Sequence, residues 1–188
     1  MACTNNTQRG TPGKAGVDEM NPKTINRDGH VLEITEARND ATATSFGWSI
    51  LLVCGDPAVS GSAYFAGYPV DQVSPISCPD NVAFDKAGLL ISTDGQPGAI
   101  GYNDGLFRVG LEGANRGRVD QFLAVPREAE TCGPIIRDDE SMVYVAVQHP
   151  REHGSFAEQH SDFPDYTAVT GNGMVAAPRP SMVQVWQK

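Results

Sequence analysis

The chain has 188 residues, with 14 Lys and Arg against 23 Asp and Glu, for a net charge of −9 at pH 7. Nucleic-acid and anionic-membrane surfaces need clustered cations, so this acidic balance excludes both and suits a protein that binds cations. The length is that of one domain, and 20 Gly and 13 Pro scattered through short apolar runs predict many turns and few long helices.

At the N-terminus, Met1-Ala2-Cys3-Thr4-Asn5-Asn6 has neither a basic segment nor an apolar one, so this chain carries no export signal and would be cytoplasmic if made as it stands. Thr4-Asn5 reads as the end of a strand whose inner partner is missing. Residues 29–35 and 46–53 are the next two strands, separated from the first by a polar loop over residues 7–28. The longest apolar run, Ile50-Leu51-Leu52-Val53-Cys54, is far too short to span a bilayer. A second loop covers residues 56–77.

Two apolar runs follow, Cys78-Pro79-Asp80-Asn81-Val82-Ala83-Phe84-Asp85 and Gly88-Leu89-Leu90-Ile91-Ser92-Thr93-Asp94-Gly95, and the intervening turn makes them a hairpin. Strands at residues 104–110 and 117–124 complete a four-stranded antiparallel meander. The unit then recurs: Thr131-Cys132-Gly133-Pro134-Ile135-Ile136 and Met142-Val143-Tyr144-Val145-Ala146-Val147-Gln148 form a second hairpin, and residues 180–186 a third strand. Val31 to Leu106 is 75 positions and Leu106 to Met182 is 76. Such near-equal steps predict an all-β partial β-propeller of about three incomplete four-stranded blades in one domain, residues 1–188. The blades are residues 1–57, 78–126 and 131–188, of which only the middle one is complete.

In a propeller the inner strands line a central channel, so polar residues at their starts converge. Asp80 and Asn81 begin one inner strand, and Glu130 stands one residue before the next. Carboxylate and amide oxygens there suit calcium, and carboxylates also suit iron or manganese. The alternative for Asp80 and Asn81 is an Asx-turn that satisfies their own backbone. Glu128 reads as a solvated loop charge. Arg127, three residues before Glu130, can hold an anionic oxygen in its planar fork or form a surface ion pair. Asp94 and Asn5 read as turn formers, and Asp85, Asp138 and Asp139 as hairpin residues. His149 either reaches a site or caps its turn. His149, His153 and His160, in the long loop over residues 149–179, do not share a helical face and read as solvated. The four cysteines occur singly at wide spacing and read as small buried side chains.

The segments Cys78-Pro79-Asp80-Asn81, Ser92-Thr93-Asp94-Gly95, Asn103-Asp104-Gly105-Leu106-Phe107, Glu130-Thr131-Cys132-Gly133-Pro134 and Val145-Ala146-Val147-Gln148-His149-Pro150 together resemble the C-terminal part of the PhoX family of alkaline phosphatases. Thr4-Asn5-Asn6 and Asn26-Arg27-Asp28-Gly29-His30 extend the likeness in the same order. The resemblance implies a six-bladed propeller with a calcium and iron centre in its channel. It also implies hydrolysis of phosphomonoesters, after twin-arginine export to the periplasm or beyond.

On that resemblance Glu130 is the leading metal ligand, Asp80 and Asn81 are further candidates, and Arg127 is a phosphate contact. The family's bridging cysteine and upstream acidic ligand have no counterpart here, and neither Cys78 nor Cys132 is assigned that role. A chain lacking half the channel wall is expected to be inactive alone and to need a missing N-terminal half. Two other classes remain open: a non-catalytic calcium-binding module, and a propeller hydrolase of the lactonase or phosphotriesterase type.

Overall fold

The computed structural model describes residues 1–4, 7–86, 88–155, 157–165 and 177–186. Among them, three antiparallel sheets hold nearly all the regular structure. The first contains β1 (Ala2–Thr4), β2 (His30–Glu36), β3 (Phe46–Val53) and β4 (Tyr64–Phe65), side by side in that order. The middle sheet is a four-stranded meander of β5 (Pro79–Phe84), β6 (Gly88–Thr93), β7 (Gly105–Gly110) and β8 (Val119–Ala124). The third contains β9 (Glu130–Ile136), β10 (Met142–Gln148) and β11 (Ser181–Trp186). A single helical turn, α1 (Gln96–Ala99), lies between β6 and β7.

This is the partial propeller expected from the repeat, with two differences in detail. The first sheet reaches four strands through β4, which forms inside the presumed loop at residues 56–77 and pairs Leu52 with Phe65. It has no described strand inside β1 of the kind that β5 supplies to β6. The third sheet starts at Glu130 itself, because Glu130 pairs with Gln148 across the β9–β10 ladder. Asn5 and residues 166–176 of the last loop lie outside the described residues.

Burial explains the strand sequences. All six residues of β6 are buried, which is why Leu89-Leu90-Ile91 runs apolar without alternation. In β11, at a sheet edge, exposed and half-buried residues alternate instead. The main core joins the first two sheets through Val31, Leu51, Phe65, Ile76, Leu89 and Phe107, each at most 1% exposed. A smaller cluster of Val125, Ala129, Val147 and Phe163 lies against the third sheet.

Between sheets, sparse polar bonds supplement this packing. Arg116 Nη2 pairs with Glu33 Oε2 at 2.5 Å, which holds the Glu33 carboxyl below its ordinary range. The Ser74 N–H donates to Val119 O at 2.8 Å, and Gln121 N–H to Ser74 Oγ at 3.0 Å. The second and third sheets meet where Lys86 N–H donates to Glu140 Oε1 at 2.5 Å and Gly133 N–H to Asn81 Oδ1 at 2.9 Å.

Below β6 and β7 the chain turns on a buried polar knot. Asp104, 3% exposed, accepts the N–H groups of Gly95 and Gln96 at 3.0–3.1 Å. Gln96 in turn accepts from Ser77 N–H and donates to Asn103 O. Thr93 Oγ1 receives Gly105 N–H at 3.0 Å. Asp104, Gln96, Thr93 and Ser77 are buried and hydrogen-bonded, as buried polar groups must be.

One close approach constrains the contact between the first and middle sheets. A Cβ on Gly117, whose φ is +84°, would lie 1.9 Å from the Phe65 carbonyl oxygen. Gly117→Ala is therefore expected to cost at least about 2 kcal/mol through strain and displacement of β4, read as a lower urea midpoint. Gly61→Ala, which meets nothing within 4 Å, should stay within about 0.5 kcal/mol of the parent. Equal effects of the two substitutions would contradict this packing.

Candidate metal centre

The middle and third sheets bring three polar side chains together at the ends of their strands. Asp94 follows the last residue of β6, His149 follows the last residue of β10, and Glu130 opens β9. Each offers a ligand atom, and these atoms all lie within 4.8 Å of one another. The registers explain the meeting. Pro79 pairs with Thr93 in the middle sheet as Glu130 pairs with Gln148 in the third, so Asp94 and His149 occupy the same place in successive sheets.

Each member is held from behind. The turn after Asp94 is pinned by the two amides that Asp104 accepts. Gly95 sits at φ +122°, and a Cβ there would come within 3.2 Å of Cys78 Sγ, so a side chain would push the turn away. Glu130 is 8% exposed, and its Oε2 meets Gln148 Nε2 and, at 3.0 Å, His149 Nε2. His149 stands at φ +31°, a strained backbone of the kind that concentrates at functional sites. Its other ring nitrogen, Nδ1, is buried without a hydrogen-bond partner, 3.8 Å from Glu152 Oε2.

The electrostatics are those of carboxylates crowded together. Burial, then the charge of Asp94, pushes Glu130 up, with His149 opposing and Asp80 adding. Burial likewise raises Asp94, reinforced by Asp104 and Asp80. Asp80 is felt as well at Cys3, which burial pushes up to about 11, and at Cys132. A cavity of about 160 Å³ opens beside the cluster, lined by Asp94, Gly98, Glu128, Glu130, His149 and Glu152. Two carboxylates and one imidazole gathered this closely fit a metal ion, which would relieve the mutual repulsion.

The residues singled out from sequence fall in different places. Glu130 is in the cluster, and Asp80 lies near enough for its charge to act on it. Asn81 has both ends of its amide engaged, Nδ2 donating to Asp80 Oδ2 at 2.8 Å and Oδ1 accepting from Gly133. Arg127 points outward, its side chain 72% exposed and Nε 3.3 Å from Glu128 Oε1. Glu128, read as a solvated charge, is instead only 8% exposed at its side chain and pairs with His160 at 2.8 Å.

From sequence Asp94 reads as a turn former and His149 as either a site residue or a turn cap. Their shared place after the second strand of each unit is the sequence signal that links them. The four cysteines are free thiols: Cys54 and Cys78 are buried, Cys3 and Cys132 half-buried.

The sequence model of the family described as Alkaline phosphatase PhoX matches residues 1–151. The structure is similar to that of Pseudomonas fluorescens PhoX in complex with vanadate, a transition state analogue, with a TM-score of 0.74 and 27% sequence identity. That match covers 98% of this chain and 31% of the relative. Among curated proteins, none matches significantly.

The raised carboxylates carry a stability consequence. A carboxyl whose folded-state pKa lies above its unfolded value destabilises the fold once pH exceeds the unfolded value, and costs nothing below it. Asp94→Asn is therefore expected to raise the Tm of the metal-free chain at neutral pH by about 1–2 °C, a figure discounted for the partial exposure of the group. The gain should vanish as pH falls into the ordinary carboxylate range. A Tm that drops at pH 7, or a gain that persists in acid, would show that Asp94 carries no such penalty.

Proposed function

Because the chain belongs to the PhoX family of alkaline phosphatases, we propose that it is a sector of a metal-dependent phosphomonoesterase, contributing one side of the metal centre. The observation that supports this best is the convergence of one ligand atom each from Asp94, Glu130 and His149 within 4.8 Å. Asp80 adds a third carboxylate from β5. The relative in complex with vanadate is similar over nearly all of this chain.

Calcium and iron are the proposed metals. Carboxylate oxygens from Asp80, Asp94 and Glu130 suit calcium, and carboxylates with an imidazole suit iron. Bound there, the metals would supply charge neutralisation of phosphoryl oxygens and a water-derived nucleophile. The protein's own contribution is to hold the ligands. Asp104 fixes the Asp94 turn, Gln148 and His149 orient Glu130 Oε2, and the low exposure of Glu130 limits competing water. Arg127 is the proposed phosphate contact, since its flexible exposed side chain starts three residues from Glu130 and can turn from Glu128 to an incoming dianion.

The ligands described come from two of three sheets, and the chain spans 31% of the relative's length. We therefore place full activity in an assembly that includes an N-terminal half, which in the family works after export to the periplasm or beyond. The chain alone should bind cations and turn over poorly.

The test is metal analysis together with hydrolysis of p-nitrophenyl phosphate, with and without added calcium and iron. The parent chain is expected to retain metal after dialysis and to show little or no turnover. Glu130→Gln and Asp94→Asn should each weaken binding at least about tenfold. Undiminished metal content in both variants would remove this cluster as the centre. Metal binding without turnover in a reconstituted full-length assembly would favour a non-catalytic cation-binding module.

A further inference from the structure

The inner strands of the second and third sheets are both irregular, and at facing points. In β5 the pairing with β6 jumps from Pro79↔Thr93 to Val82↔Ile91, so Asp80 and Asn81 together oppose Ser92. In β9 the pairing with β10 jumps from Cys132↔Ala146 to Ile135↔Tyr144, so Gly133 and Pro134 together oppose Val145. Each is a bulge of two residues against one, a device that turns side chains and releases backbone groups from the ladder. Gly133 has φ +57°, the conformation a glycine takes at such a bulge.

The two bulges answer each other. The Gly133 N–H, free of its own ladder, donates to Asn81 Oδ1 at 2.9 Å, and Asn81 Nδ2 donates to Asp80 Oδ2 at 2.8 Å. One amide side chain thus joins β9 to β5 and at the same time holds the carboxylate beside it. Glu130 lies three residues before Gly133 on the same strand, so this joint fixes the offset between Asp80 and Glu130 across the sheet boundary.

We infer that Asn81 is a positioning residue rather than a metal ligand: an inter-sheet clasp that orients Asp80 and sets its offset from Glu130. What it positions rests on the metal-centre reading, but the clasp itself does not. An Asx-turn, the alternative open from sequence, would spend the side chain on its own segment. Here the acceptor serves a residue 52 positions away.

Two measurements on the full chain separate the possibilities. Amide exchange at Gly133, followed by NMR, should speed up at least about tenfold in Asn81→Ala and stay near the parent rate in Asn81→Asp, which keeps an acceptor. Terbium(III), used as a luminescent calcium probe, should bind Asn81→Ala about 10–100-fold more weakly, yet with the same number of coordinated waters as the parent. Unchanged Gly133 exchange in Asn81→Ala, or loss of protection in Asn81→Asp too, would overturn the clasp. A gain of about one coordinated water in Asn81→Ala would make Asn81 a ligand instead. If the parent chain fails to bind terbium, the metal-centre reading falls while Gly133 exchange still decides the clasp.

Discussion

A buried carboxylate organises the lower end of the middle sheet. Asp104 is 3% exposed and is held by the N–H groups of Gly95 and Gln96. Leaving such a group unsatisfied would cost several kcal/mol, so the chain between β6 and β7 has little freedom to rearrange. That rigidity is transmitted. Gln96, placed by the same bonds, reaches across to Ser77 at the entry to β5, and Asp94, one residue before Gly95, is aimed at Glu130. The candidate centre therefore depends on a residue outside the three ligand groups, one that also lines their cavity and raises Asp94.

The cluster itself is electrostatically unfavourable in the metal-free chain. Asp80, Asp94 and Glu130 repel one another, and burial raises the latter two further. Hydrophobic contacts between the first two sheets and hydrogen bonds between sheets provide the stability against which this repulsion is set. Such local destabilisation is the usual condition of a preorganised site: the ligands are already gathered, so a cation gains their attraction without having to assemble them.

Much of the fold was legible in sequence because alternation and spacing report strand geometry directly. The repeat of 75 and 76 positions located β2, β7 and β11, and the apolar run over residues 88–95 located β6 as one arm of a hairpin. What escaped was set by tertiary contact. β4 has only two residues and exists because Phe65 fills the core beside Leu52. Glu128 looked like a surface charge, since nothing local says that His160 will cover it. At the centre, Glu130 was legible from its place before a strand. Asp94 and His149 were not paired from sequence, because their equivalence appears only when the ladder registers are aligned.

The outer margin of the third sheet has a practical consequence. Where β8 closes the middle sheet, β11 is the last strand described in the third, with Met182 at 68% and Trp186 at 56% exposure. Among the described residues it is an edge strand beside large exposed apolar groups, a template for neighbours of similar pattern. Purified at high concentration without a covering partner, this polypeptide should be prone to stick to itself along that flank. Lysine substitutions there would improve its handling in solution while leaving the opposite margin, which carries Glu130, untouched.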